Sequence, residues 1–386
     1  MPLLGPDSPW GPFMLIVTGL AGLVIITLVL GETFEALVLP RRVTRRVRFS
    51  LLYYRCAWRA WSAASNLFPT NGYRPTFLSV FGPLSLLVLF AIWAATLILA
   101  FGLIHYALTP ERGIPDSLYL SGTTFTTLGY GDVTPTTTAG RVLAVVEAGT
   151  GFGYFAVVIG YLPVLYQAFG RREGLIALLD ARAGSPPAAG RLLLRALPGD
   201  SRGGLIGFLA EAERWSAEVL EAHLSFPVLG YYRSQHDNQS WLAAVTCILD
   251  ASALLLTIVD GASRAQARLT FAMARHTVVD LGLVLHRPLT PPVADRLPPA
   301  RLADLVAALR LAGVVVRDDP EALAKLTELR GLYELFLVEL GAYFRLEVPE
   351  MWPNDNGPDN WQTSAWMRRA GPLAALEADP HDDHFL

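Results

Sequence analysis

Three long apolar runs dominate the first half of the chain. They extend from about Pro12 to Gly31, from about Phe81 to Ile104 and from about Val142 to Phe169, and Glu147 is the one charged residue within them. A bilayer core of about 30 Å requires roughly 20 helical residues. The pattern therefore predicts three transmembrane helices.

From Glu173 onward, apolar residues recur at spacings of three and four, as in amphipathic helices, and strand-like alternation is scarce. No GxGxxG motif follows a strand, which argues against a dinucleotide-binding domain. The predicted fold is thus an all-α membrane protein with an all-α soluble domain. Its helices are predicted near Gly204–His223, Ser240–Val259, Arg264–Leu285, Pro299–Leu311 and Pro320–Phe344.

The run from Trp241 to Val259 is apolar enough to suggest a fourth span, but Asp250 lies in its middle. A carboxylate at the centre of a span costs about 3 kcal/mol on insertion scales. A fourth span would also place Arg264, Arg268 and Arg275 outside, against the charge rule. We therefore expect a buried helix of the soluble domain.

Composition and charge support the membrane assignment and orient it. Of the 386 residues, 52% are hydrophobic and 17% charged. No acidic residue occurs from Arg41 to Arg74, and short basic loops stay in the cytoplasm. Arg171 and Arg172 end the third run on the same side. This predicts a multi-pass protein of the plasma (inner) membrane, with its N-terminus outside and its C-terminal domain cytoplasmic. Anionic lipids are expected at Arg41, Arg42, Arg45, Arg46 and Arg48.

The segments around this basic stretch allow two readings. The first run is interpreted as a retained helix rather than a signal peptide, because it lacks a basic start. Residues 50–65 interleave aromatic residues with Arg55 and Arg59, which fits a helix in the inner membrane interface or a helix packed on protein. Glu32 and Glu35 are expected to pair with arginines of the basic stretch.

The segment between the second and third spans reads DSLYLSGTTFTTLGYGDVTPTTTAGR, from Asp116 to Arg141. Its core, TTLGYGD, resembles the selectivity filter of the potassium channel family, with leucine where the family has valine. The resemblance covers roughly Phe81 to Phe169. It implies a pore helix from Asp116 to about Thr126 and a filter, with K⁺ as the permeant ion, at Thr127, Leu128, Gly129, Tyr130 and Gly131.

Stripping water from K⁺ requires rings of backbone carbonyl oxygens. Successive carbonyls face one way when the backbone alternates in handedness, and Gly129 and Gly131 tolerate positive φ. We expect Leu128 and Tyr130 to pack their side chains against the pore helix, with the Thr127 hydroxyl at the inner end. The alternative is a simple turn, since Gly-Tyr-Gly-Asp is common turn composition.

Several neighbours of the filter are predicted to support it. Asp132 resembles the outer-mouth acid of the family, and Thr123, Thr126 and Glu147 are candidate supports. Glu147 either hydrogen-bonds behind the pore helix, to Thr123 or Thr124, or faces a water-filled cavity. Because the chain has one pore loop and a closed pathway needs four, a homotetramer is expected.

The third span carries the candidate gating residues. Gly149, Gly151 and Gly153 are either a hinge or sites of close helix packing. Pro163 is expected to kink the helix near an inner gate formed by Ile159 and Leu162.

The soluble domain offers little chemistry. The polar stretch from Tyr231 to Trp241 could bind a ligand, but Asn238 or Ser240 as a helix cap is preferred. His223, His236 and Asp237 have no spacing that enforces a metal site. No catalytic motif is present, so neither enzyme activity nor a cofactor is expected, and nucleic acid is not an expected partner.

The sequence predicts five parts and leaves alternatives to a K⁺ channel. A membrane-anchored ligand sensor and a weakly selective cation channel stay open, whereas a potassium uptake transporter would carry four unlike loops in one chain. The parts are an N-terminal transmembrane helix (1–40), a basic interfacial segment (41–79), the pore module (80–170), a helical cytoplasmic domain (171–349) and a loosely held tail (350–386).

Overall fold

The computed structural model describes residues 11–37, 49–69, 73–198, 202–235, 238–260, 264–284 and 294–354. Within these ranges the chain is helical, and its one β-type pairing is an isolated bridge between Val259 and Val316. The chain divides into two compact units, Met1–Tyr166 and Gln167–Leu386. The all-α fold class predicted from the apolar periodicity is confirmed.

The helices of the first unit include all the predicted spans. Three helices are long and apolar enough to cross a membrane, namely α1, α3 and α5. Each is longer than its apolar run, because flanking residues continue the helix, at both ends of α3 and α5 and at the C-terminal end of α1. The elements are α1 (Gly11–Leu37), α2 (Phe49–Ala64), α3 (Tyr73–Leu108), the short α4 (Ile114–Phe125) and α5 (Thr138–Ala183), which continues into the second unit.

Helices α1 and α3 approach closely because glycine lies at their contact. A Cβ on Gly22 would be 2.7 Å from the carbonyl oxygen of Ala100, closer than real contacts allow. Without a hydrophobic driving force inside lipid, such close backbone packing is a main source of helix association. The close backbone contact at Gly22 therefore packs the N-terminal span α1 against α3.

Helix α2 begins under a carboxylate from α1. Oε1 of Glu32 accepts hydrogen bonds from the Ser50 backbone N–H (2.9 Å) and hydroxyl (2.6 Å), which satisfies donors at the start of a helix. The expected partners Arg41 and Arg45 lie outside the described residues. Glu32 thus ties the start of α2 to the end of the first span.

One face of α2 packs on α3. Trp58 meets Phe81 with ring centroids 4.9 Å apart, and the Trp61 indole N–H donates to the Phe77 carbonyl at 3.1 Å. Arg55 and Arg59 are exposed on the other face. The reading that α2 packs on protein is confirmed for its aromatic face, and contact of the arginine face with lipid stays a prediction.

The helices of the second unit agree with the predicted segments, with two differences. The short helix α6 was not predicted, and the segment Pro320–Phe344 is two helices, interrupted at Leu332 and Tyr333. Asp319 caps the first of these through the Ala322 N–H. The elements are α6 (Ala189–Ala196), α7 (Arg202–Ser225), α8 (Trp241–Thr257), α9 (Arg264–Val284), α10 (Pro299–Leu311), α11 (Pro320–Gly331) and α12 (Glu334–Phe344).

Helix α8 is the buried centre of the second unit, as predicted. Asp250, which is 1% exposed, receives a bidentate ion pair from Arg296 at 2.7 and 2.9 Å and a hydrogen bond from the Tyr333 hydroxyl at 2.6 Å. Buried carboxylates need such partners. Ser240 caps the helix by accepting from the Ala243 N–H, which confirms the capping reading.

The start of the predicted loose tail is packed. Met351 is fully buried, and its carbonyl accepts from the Gly190 N–H at 2.9 Å. The Trp352 ring lies where a Cβ on Gly190 would be. Trp361 and Trp366, the other candidates for docking, lie outside the described residues. Residues 351 and 352 therefore pack against α6.

Candidate functional site

The short helix α4 and the chain after it form the candidate site. The helix starts after Gly113, whose φ of 81° favours glycine, and the Ser117 hydroxyl donates back to the Gly113 carbonyl at 2.8 Å. At the other end the Thr126 hydroxyl donates to the Gly122 carbonyl at 2.6 Å. The predicted pore helix is thus present, and near each of its ends a side-chain hydroxyl donates a hydrogen bond to a backbone carbonyl four residues earlier.

The carbonyl oxygen of Thr123 anchors the chain that follows. It accepts the backbone N–H groups of Leu128 at 2.9 Å and Gly129 at 3.2 Å. The Thr123 hydroxyl points elsewhere, to the carbonyls of Tyr119 and Leu120. Thr123 is therefore next to the loop, as expected of a support, but it acts through its backbone.

The backbone alternates in handedness through the TLGYG segment. Thr127, Gly129 and Gly131 have φ values of 59°, 56° and 82°, and the residues between them do not share this positive φ. Positive φ at two glycines was predicted, whereas the same conformation at Thr127 was not, because a non-glycine residue rarely adopts it. An alternating backbone can turn successive carbonyls to one side of the strand.

The side chains between the positive-φ residues are not covered by the chain's own pore helix. Leu128 is 58% exposed and Tyr130 is 71% exposed. The expectation that these side chains pack against the pore helix stays a prediction for the assembled protein. Both side chains are therefore largely open to their surroundings in the single chain.

The loop after the segment is tied to the pore helix. The Tyr119 hydroxyl donates to Oδ2 of the exposed Asp132 at 2.9 Å, and the Arg112 guanidinium donates to the Thr134 carbonyl at 2.6 Å. Sequence reasoning missed both partners. Tyr119 lies one helical turn before Thr123, so a single turn of α4 contacts both ends of the loop.

Glu147 is buried behind the pore helix. It is 0% exposed; Oε2 lies 2.9 Å from Nε2 of His105 on α3, and Oε1 is hydrogen-bonded to the Ser121 hydroxyl on α4. The predicted location is therefore right, but the predicted partners Thr123 and Thr124 are wrong. The alternative in which Glu147 faces a cavity is also wrong, because even the single chain buries it completely.

The three glycines of α5 have different surroundings. A Cβ on Gly151 would overlap the carbonyl oxygen of Phe125, the last residue of α4, whereas Gly149 and Gly153 have open space. Packing is thus the role that the structure gives Gly151. Helix α5 is continuous through Pro163, and Ile159 is 69% exposed. Whether Ile159 and Leu162 form a gate is untested.

The candidate metal residues of the second unit do not come together. His223 is buried, with Nδ1 on the Val219 carbonyl at 2.8 Å and its ring 4.7 Å from that of Trp241. His236 and Asp237 lie outside the described residues. In the part of the chain that the structure covers, no group of three metal-ligating side chains occurs.

Two spanning helices that flank a short re-entrant helix and an alternating loop define the pore-loop class of membrane proteins. Residues 93–167 match the family model described as "Ion channel". These residues are therefore similar to the ion-channel family, which agrees with the resemblance seen in the sequence and points to transport rather than catalysis.

Curated relatives and solved structures add the following. Two proteins named "Protein LctB", from Geobacillus stearothermophilus and from Bacillus caldotenax, are each 37% identical to this chain. In each case the match covers 17% of this chain and 62% of the relative's length. No solved structure matches the chain.

Proposed function

We propose that this protein is one subunit of a homotetrameric, potassium-selective channel whose filter is formed by residues 127–131. The observation that carries the proposal is the positive φ at Thr127, Gly129 and Gly131 directly after a pore helix. Alternating handedness aims successive carbonyl oxygens at one line, and rings of such oxygens replace the hydration shell of K⁺. Asp132 would raise the cation concentration at the outer mouth.

The tetramer follows from the single pore loop and from the exposed side chains beside it. Identical subunits close a pathway by cyclic symmetry, and four loops give each ion a complete ring of oxygens. Leu128 and Tyr130, exposed in one chain, are the apolar surface that a neighbouring subunit would cover. Part of the exposed face of α5 would then line the pathway.

The orientation proposed here rests on the arginines. A cytoplasmic location of residues 41–74 places the loop after α4 outside, where Asp132 meets the external solution. The second unit then lies in the cytoplasm. Helix α5 extends from Thr138 to Ala183 and belongs to both units, so we propose that gating by the second unit acts along this helix.

Purified protein reconstituted in liposomes tests the proposal. Under a K⁺ gradient we expect a barium-sensitive flux of K⁺, and under a matched Na⁺ gradient a flux at least about tenfold smaller, equivalent to ~1.4 kcal/mol of discrimination. Equal fluxes of the two ions would identify a weakly selective cation channel instead. Absence of any flux would favour a membrane-anchored sensor.

The substitution Gly129→Ala tests the conformation on which selectivity depends. An alanine at a φ of 56° is strained by about 1–2 kcal/mol in each subunit. We expect the K⁺ flux of this variant to fall at least about tenfold. Gly170→Ala on α5, where an added Cβ meets nothing within 4 Å, is the matched control and should conduct like the parent protein.

A further inference from the structure

Three polar side chains from three different helices meet inside the apolar part of the first unit. His105 comes from α3, Ser121 from α4 and Glu147 from α5, and they are 2%, 0% and 0% exposed. Polar and ionisable groups within a span are costly and need partners. The three side chains form a connected network that joins α3, the pore helix α4 and α5.

The contacts of this network are specific. Oε2 of Glu147 lies 2.9 Å from Nε2 of His105, so each oxygen of the carboxylate has its own partner helix. The Ser121 hydroxyl also lies 2.7 Å from the Ile98 carbonyl oxygen on α3. In the described part of the chain, no other side chain hydrogen-bonds to Glu147. The pore helix is thus fixed from behind at Ser121.

Ser121 is two residues before Thr123, whose carbonyl oxygen accepts the N–H groups of Leu128 and Gly129. A shift of the pore helix at Ser121 therefore moves the acceptor that anchors the start of the loop. Two residues of helix rise about 3 Å, and a rigid turn transmits a displacement over that length. A displacement of the network at Ser121 is therefore expected to displace the filter loop as well.

We propose that Glu147, together with His105 and Ser121, is a positioning group that sets the ion discrimination of the filter. The inference rests on the proposed function, since it assigns regulation of the same K⁺-selective site. Glu147 touches no ion; it acts by fixing the pore helix, which fixes the Thr123 carbonyl oxygen. Loss of the network lets the carbonyl rings widen, and a wider ring discriminates less against Na⁺.

Permeability ratios of single channels in planar bilayers give the test, because a reversal potential does not depend on how many channels assemble. For Glu147→Leu and for His105→Leu we expect the Na⁺-to-K⁺ permeability ratio to rise about tenfold, the factor that corresponds to ~1.4 kcal/mol. The double variant should show the same rise as either single one, because both changes remove one interaction.

Two further variants separate positioning from general packing. Glu147→Gln keeps an oxygen for Ser121 and supplies an amide N–H for Nε2 of His105, so it should restore the parent ratio. Thr150→Val removes a hydroxyl that bonds only the Val146 carbonyl of its own helix, at 2.8 Å, and should leave the ratio unchanged. If Glu147→Leu fails to assemble, Ser121→Ala decides, since it deletes a single hydroxyl.

The outcomes distinguish this inference from the proposed function. A K⁺-selective parent channel with unchanged ratios in Glu147→Leu, His105→Leu and Ser121→Ala overturns the positioning role and leaves the K⁺ channel intact. A parent channel that passes Na⁺ as readily as K⁺ overturns the proposed function itself. An equal rise in Thr150→Val would show that any change of packing on α5 relaxes the filter, and would also overturn the specific role.

Discussion

Buried polar side chains decide much of this structure one residue at a time. Asp250 on α8 is satisfied by Arg296, which precedes α10, and by Tyr333, in the turn before α12. Glu147 on α5 is satisfied by His105 and Ser121 from two other helices. Removing one partner of such a pair leaves an uncompensated group, which is among the costliest changes in a folded protein. These residues therefore specify which helices meet.

His223 illustrates the same rule for a group that must stay neutral. Its Nδ1 carries a proton because its partner, the Val219 carbonyl oxygen, only accepts. Burial, together with the charge of Arg172, lowers the pKa of His223 to about 3. The unfolded chain binds a proton near pH 6.5, so between those values acid favours unfolding.

We expect the free energy of unfolding to decrease by up to ~1.4 kcal/mol per pH unit as the pH falls below about 6.5, and the decrease to stop near pH 3. Thermal unfolding of the full protein in detergent at pH 7 and pH 5 measures this. His223→Gln cannot take up the proton, so its midpoint should fall less over the same interval. Equal decreases in both proteins would contradict the assignment.

The carboxylate at position 147 shows what sequence can and cannot give at this scale. An ionisable residue inside an apolar run is visible in the sequence, and so is its need for a partner. The predicted partners of Glu147 were wrong, because helical spacing shows which residues of one helix share a face. It does not show which residues of a neighbouring helix lie opposite that face. His105 and Tyr119 gave no signal for the same reason.

At the scale of elements, apolar runs located every span, but the ends of the spans were too short. Polar residues at the ends of α3 and α5 continue the helix, as they are free to do outside lipid. The break between α11 and α12 was missed because apolar spacing continues through Leu332 and Tyr333. The spacing of apolar residues shows which face of a helix is buried. A turn that keeps the same face buried leaves this spacing unchanged, so the spacing does not reveal the turn.

The contact between α5 and the end of α4 yields a test at this scale. Gly151→Ala places a Cβ onto the carbonyl oxygen of Phe125, two residues before Thr127. Overpacking of this kind costs about 1–3 kcal/mol, and we expect the K⁺ flux to fall about tenfold as the pore helix is displaced.

Gly160→Ala is the control on the same helix, because an added Cβ there has nothing within 4 Å. Its flux should equal that of the parent protein. If both variants conduct normally, the close approach at Gly151 is not needed for the pathway. If both fail equally, loss of glycine flexibility in α5 explains the result, which favours a hinge.

At the scale of the whole molecule, the family match ends at residue 167, where the second unit begins. The pore module was therefore readable from a short motif between two apolar runs. The second unit has no such motif, and its helices follow from periodicity alone. Its core contains α8, an apolar helix of 17 residues that is buried along nearly its whole length.

Orientation across the membrane can be tested with the native cysteines. Cys56 is exposed on α2, whereas Cys247 is buried and burial raises the pKa of its thiol, with a contribution from Asp250. If residues 41–74 are cytoplasmic, a membrane-impermeant maleimide should label inverted vesicles and leave intact cells unlabelled. Cys56→Ser should abolish the signal. Labelling of intact cells would reverse the proposed topology.

The positive φ of Thr127 has a consequence for assembly of the proposed channel. A β-branched residue with φ near 59° lies in a conformation that costs about 1–3 kcal/mol, and the proposed tetramer would repeat that cost four times. In that proposal a lone subunit would carry a strained loop, and neighbours that cover Leu128 and Tyr130 would stabilise it. In this proposal the filter forms cooperatively, because its conformation becomes stable only when all four subunits have assembled.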